Sequence, residues 1–115
     1  MSIDLLQTVD IIEIMENYIE NTRPPEEMRP QLDISYKIDG QSIIIFEIRP
    51  RCDNTAEFME CCVAKTTFIK TQKVWKIFWM RANSKWYSFE PHPAVKTLHE
   101  FVQIVDADKY GCFWG

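Results

Sequence analysis

The stretch QLDISYKIDGQSIIIFEIRP, residues 31–50, decides the fold class. Its first half alternates, with Leu32, Ile34, Tyr36 and Ile38 set against Asp33, Ser35 and Lys37. That two-residue period belongs to a strand with one buried face. Asp39-Gly40 then signals a hairpin, and the loop length determines which face of the second strand meets the apolar row. A two-residue loop opposes Ile34 to Ile45 and Leu32 to Glu47. A three-residue loop, Ile38-Asp39-Gly40 with the glycine left-handed, opposes Ile34 to Ile44 and Leu32 to Phe46. The second register is expected, because it keeps the Glu47 carboxylate off the apolar face. Ile43, Ile45, Glu47 and Arg49 then share the opposite face, which is too apolar to be simply solvated.

Working outward, RPRCDNTAEF reads as an exposed connection, followed by two strands rich in β-branched and aromatic residues, ECCVAKTTFIK and KVWKIFWMRA. A two-residue loop at Thr71-Gln72 would set Phe68 opposite Trp75, Ala64 opposite Trp79 and Cys62 opposite Arg81. Val63, Lys65, Phe78 and Met80 then line the other side. ANSK predicts a tight turn at Asn83-Ser84 that returns through WYSFE and lays Trp86 beside Arg81, guanidinium over indole. The row Trp75, Ile77, Trp79, Arg81 and Trp86 is expected to be covered, with Arg81 against Trp86 or paired to Glu47.

Two helices flank these strands. Residues 3–20 carry Leu5, Val9, Ile12 and Ile19 at helical spacing, widened by Ile11, Ile14 and Tyr18, with Ser2 or Asp4 as cap. NTRPPEEMRP stops that helix, since two prolines forbid its continuation. Near the other end, Thr97 and Glu100 form a capping box ahead of Leu98, Phe101, Val102 and Val105. This helix should end near Lys109, with Gly111 as the left-handed cap and Phe113 and Trp114 as an aromatic tail. The expected architecture is α+β: an N-terminal helix, an antiparallel meander sheet of about five strands, and a short C-terminal helix, with the helices on one face. Residues 1–115 form a single domain.

The chain has 115 residues, 46% hydrophobic and 26% charged, enough to bury a core without staples. No apolar run approaches a membrane span, and the acidic start MSIDLLQTVD lacks the basic region of a secretory signal, so a cytoplasmic location is expected. Cys52, Cys61, Cys62 and Cys112 then read as reduced thiols. His92 and His99 lack zinc-ligand spacing, so neither a metal site nor a cofactor is expected.

Several stretches are familiar together: FEIRP, AKTTFIK, VWKIFWMRANSKWYSFEP and the terminal GCFWG. In that order, over roughly residues 29–115, they resemble a bacterial family, domain-of-unknown-function family 3024. The resemblance implies a compact stand-alone bacterial domain and carries over no catalytic activity. The chain departs from the family pattern at Tyr87, where histidine is usual.

Candidate chemistry concentrates on the sheet. Residues 65–96 hold Lys65, Lys70, Lys73, Lys76, Arg81, Lys85 and Lys96 against the single acid Glu90, whereas residues 1–20 hold five acids and no base. Basic residues interleaved with aromatics suit single-stranded nucleic acid, although the net charge of −4 opposes it. Glu47, Arg49, Lys65 and Arg81 on neighbouring strands, after the strand acid Asp33, offer a weak metal-dependent nuclease reading, because Glu47-Ile48-Arg49 has arginine where such a site needs lysine. Glu47 and Arg49 also suit a plain ion pair. The favoured expectation is a non-catalytic protein-interaction or homo-oligomerising module, with Glu47, Arg49, Lys65, Arg81 and Trp86 as its candidate binding residues and a protein partner or second copy as its ligand.

Overall fold

The computed structural model describes residues 5–54 and 56–114. Helix α1 (Leu5–Thr22) leads through a 3-10 turn at Glu26–Met28 into β1 (Asp33–Asp39), β2 (Ser42–Pro50), β3 (Phe58–Ile69), β4 (Val74–Met80), β5 (Trp86–Ser88) and β6 (Ala94–Val95), and α2 (Leu98–Ala107) follows. The sheet runs β1-β2-β3-β4-β5 in chain order, all antiparallel, and β6 pairs with β4 beside Trp75 and Lys76. The expected cap at Ser2 or Asp4, and the side chain of Leu5, lie outside the described residues.

The first hairpin takes neither expected register. Its loop is Gly40-Gln41, with Gly40 at φ 61 in the first loop position, where a type II′ turn needs glycine. Ile34 therefore opposes Glu47, Tyr36 opposes Ile45 and Ile38 opposes Ile43. Glu47 does share a face with the apolar row, contrary to expectation. It sits near the strand end, and its carboxylate accepts a hydrogen bond from Arg49 Nε at 3.1 Å, which offsets the burial cost.

Between β3 and β4 the expected pairing holds, with Phe68 opposite Trp75 and Ala64 opposite Trp79. The strands break off at the Ile69–Val74 pair, and Lys73 adopts φ 54 in the four-residue loop. A bulge in β3 separates Ala64, opposite Ile45, from Cys62, opposite Phe46. The extra residue, Val63, joins the core with Ala64 instead of lining the other side, and Cys62 falls on the face of Phe46. The last hairpin closes over three residues, Ala82-Asn83-Ser84, with Ser84 left-handed and Arg81 N–H bonded to Lys85 C=O. That shift sets Trp86 opposite Met80, so the expected contact of Trp86 with Arg81 does not form.

Both helices cover one face. Ile11, Met15 and Ile19 of α1 and Leu98, Phe101, Val102 and Val105 of α2 are buried against Ile34, Ile43, Ile45, Trp75, Ile77 and Phe89. The buried stripe of α1 is centred on Met15, and Val9 and Ile12, expected inside, are exposed. Thr97 Oγ1 accepts from Glu100 N–H at 3.2 Å, as the capping box requires. The C-cap is Asp108 at φ 41, ahead of the expected end. Its carboxylate accepts from the N–H groups of Phe113 and Trp114 at 3.0 and 2.9 Å, folding the tail back so that Phe113 is buried against Phe89. Trp114 Nε1 donates to Val105 C=O at 3.0 Å.

Arg23 ties the end of α1 to the start of β1. Its Nε and Nη2 donate to the two oxygens of Asp33 at 3.1 and 2.6 Å. Desolvation pushes the Asp33 pKa up, but the Arg23 hydrogen bonds and the N–H of Ile34 outweigh it and leave the carboxyl below its usual range. A depressed native pKa stabilises the fold above the unfolded value, about 3.9, and that contribution is lost as pH falls through the native one. Asp33→Asn should therefore lower the urea midpoint at pH 7, with the difference from the wild type shrinking at strongly acidic pH. Trp75, 4% exposed, is the core tryptophan, whereas Trp79 is half-buried at its margin. Trp75→Ala should cost about 3–5 kcal/mol in urea unfolding and Trp79→Ala about 1–3.

Candidate functional site

Strand alternation and the registers define the face that the helices leave open. One row across it reads Lys37, Ile44, Lys65, Phe78 and Ser88; the row next to it on one side holds Ser35, Phe46, Cys62, Met80 and Trp86. A polar row of Ser42, Thr67 and Lys76 lies on its other side, where the Ser42 and Thr67 hydroxyls bond at 2.8 Å. Ile44 and Phe46 are buried yet belong to no part of the helix-side cluster.

Lysine side chains provide their cover. Lys65 Nζ lies 5.0 Å from the Phe78 ring centre and 5.1 Å from that of Trp86, so one ammonium bridges two aromatic rings. Lys37 Nζ lies 5.3 Å from the Phe46 ring centre and donates to Glu60 at 2.8 Å. The hydrogen bond from Lys37 to Glu60 raises the lysine's pKa and keeps it charged. Burial pushes the Cys62 thiol up, and the nearby Lys37 charge only partly offsets this. The methylene stems cover the apolar groups while the amines stay at the surface.

Of the residues singled out from sequence, Lys65 and Trp86 meet on this open face. Glu47 and Arg49 form their own exposed pair on the helix side, and Arg81 sits apart from both groups. The Arg81 guanidinium lies 5.5 Å from the Trp79 ring centre and 4.7 Å from that of Tyr87, and Asn83 Nδ2 donates to the Tyr87 hydroxyl at 2.7 Å. Asp33 and Glu47 fall on alternate positions of the β1–β2 ladder, each with its own arginine, so no carboxylate pair faces Lys65. Phe46, Phe78, Met80 and Lys37 complete the site. Phe78 and Met80 were visible as the row alternating with Trp75 and Trp79, whereas Phe46 and Lys37 needed the correct first register.

A family model described as Domain of unknown function (DUF3024) matches residues 3–115. The chain belongs to that family. No curated protein and no solved structure matches it. Among the described residues of this DUF3024 domain, no helix is long and apolar enough to cross a membrane.

A second recess lies between the helices, a cleft of about 450 Å³ lined by Asn17, Tyr18, Asn21, His99, Gln103 and Asp106 among others. The Tyr18 hydroxyl is shut off from solvent without a hydrogen-bond partner among the described residues. Burial, and then the Asp106 charge, push its pKa up to about 12, and the nearby Thr22 and Trp114 oppose this only weakly. A raised native pKa stabilises the fold below the unfolded tyrosine value, about 10, and that contribution is lost as pH rises through the native one. Tyr18→Phe should therefore lose less stability than the wild type between pH 9 and about 12 in urea titrations.

Proposed function

We propose that this domain is a non-catalytic protein-interaction module that engages its partner through the open sheet face. The observation that carries the reading is the Lys65 ammonium held between the half-buried rings of Phe78 and Trp86, on a face that neither helix covers. Aromatics with a polar rim are the usual centre of a protein interface, and Met80 and Ile48 extend the apolar area. Among the described residues no acid is hydrogen-bonded to Lys65 or Lys76, so the partner segment is one carrying carboxylates beside large apolar side chains. The proposed setting is the cytoplasm of a bacterium, where the four free thiols stay reduced.

Single-stranded nucleic acid is the second reading, favoured by Lys65 and Lys76 on the face and by Lys70, Lys73 and Lys85 in the adjoining hairpin loops. Base stacking requires free ring faces. Here the single Lys65 amine lies over the rings of both Phe78 and Trp86, and Phe46 is buried, so the protein reading ranks first. Selection of a displayed random-peptide library on the wild type, with counter-selection on Lys65→Glu/Trp86→Ala, tests it. Enriched peptides should combine acids with large apolar residues and bind the double variant roughly ten-fold or more weakly. If no peptide is enriched, while a short oligothymidine binds with an affinity that falls steeply with salt, the nucleic-acid reading replaces it.

A further inference from the structure

The outer edge of β1 carries a pattern that fits a second copy of itself. Gln41 C=O accepts from Phe68 N–H at 2.9 Å, so Gln41, Ile43 and Ile45 direct their backbone groups to β3, while Ser42, Ile44 and Phe46 direct theirs to β1. Their partners Asp39, Lys37 and Ser35 face β2 in return. Ile34, Tyr36 and Ile38 therefore direct their N–H and C=O groups away from the sheet, where β1 has no neighbouring strand among the described residues. The Ile34 N–H is capped by Asp33 Oδ1 at 2.8 Å, which agrees with this direction. β1 has no proline and no bulge against β2 to blunt the edge, and its one lysine is engaged with Glu60.

The strand sequence Asp33-Ile34-Ser35-Tyr36-Lys37-Ile38-Asp39 is nearly symmetric about Tyr36. In an antiparallel pair of two such strands centred there, Tyr36 meets Tyr36, Ile34 meets Ile38, and Ser35 meets Lys37. The outward-facing residues are also the ones that fall in hydrogen-bonded positions in that register. The two Tyr36 residues exchange both bonds, and each Ile38 N–H reaches the Ile34 carbonyl of the other copy without disturbing Asp33. Asp33 meets Asp39, and its charge is already countered by Arg23.

An exposed apolar strip runs beside this edge. Arg23 holds Asp33, and the Glu16 carboxylate lies beside the Tyr36 hydroxyl, so α1 runs antiparallel to β1. Given the rises of about 1.5 and 3.3 Å per residue, Ile12 lies level with Ile38. The two are 43% and 38% exposed, and Val9 continues the strip.

We propose that the chain forms a two-fold dimer by antiparallel pairing of β1 with β1 of a second copy, centred on Tyr36, which joins the two sheets into one and covers Ile38. This goes beyond the open-face reading and uses a different surface.

Sedimentation of the full chain over a concentration series, with amide exchange followed by NMR, tests the dimer. The expected species has twice the 13.7 kDa monomer mass. The Tyr36 and Ile38 amides should exchange slowly when it is populated and fast on dilution. Ile38→Lys places a charge opposite an isoleucine at an exposed position, so it should weaken association roughly ten-fold or more while leaving the melt of the dilute, monomeric chain unchanged. Added salt should strengthen the dimer, because the axis brings two Glu16 carboxylates together. Trp86→Ala, which affects the open face, should leave association as it is. A chain that stays monomeric up to about 1 mM overturns the proposal. So does a dimer that survives Ile38→Lys with the Tyr36 and Ile38 amides exchanging as freely as in dilute protein.

Discussion

Two helices of 18 and 10 residues cannot cover both faces of a sheet that is apolar on both, and the rest of the molecule is arranged around that shortage. α1 and α2 sit together on one face, where Ile43, Ala64, Trp75 and Ile77 are closed off from water. The tail after α2 is drawn into the same layer, with Phe113 filling space beside Phe89 while Asp108 satisfies the backbone that brings it there. Among the described residues no element covers the other face. Its rings and isoleucine are shielded by side chains of the sheet itself, chiefly the stems of Lys37 and Lys65, and the charge that any ligand would meet is fixed by this arrangement.

Charge follows the same division. The exposed side of α1 presents Asp10, Glu13, Glu16 and Glu20, whereas the open face and the loops at its rim present lysines. An overall charge of −4 therefore describes neither surface. Each side attracts a different class of partner, and the response to salt differs in sign between a lysine-lined face and an edge flanked by glutamates.

Where the pattern in the sequence was local and redundant, it was legible. The capping box at Thr97 and Glu100, the β3–β4 register with its Phe68–Trp75 pair, and the Glu47–Arg49 ion pair all depend on near neighbours. The first hairpin was ambiguous for a definite reason: Gly40 can serve as the last residue of a three-residue loop or the first of a two-residue one, and the two choices move every pair across the ladder. The Val63 bulge left no mark in an already apolar strand, so the side taken by Cys62 could not be read. In α1, Val9, Ile11, Ile12, Ile14 and Met15 make the helix apolar around much of its circumference, which blurs the centre of the buried stripe. Lys65 and Trp86 were both singled out from sequence, but their meeting depended on one additional loop residue at Ala82–Ser84 that moved Trp86 off the face of Arg81.

The sheet's strand order, which repeats the chain order from β1 to β5, also sets how the molecule assembles. Each neighbouring pair is joined directly along the chain, most by loops of only a few residues, so the entropy lost on closing each connection is small and pairing can proceed strand by strand in a growing chain. The contact between α1 and α2 is different, since it closes a loop of nearly the whole sequence. The helical layer over Met15 and Phe101 is therefore the part of the fold whose closure costs the most chain entropy, and the hairpins are the part whose closure costs least.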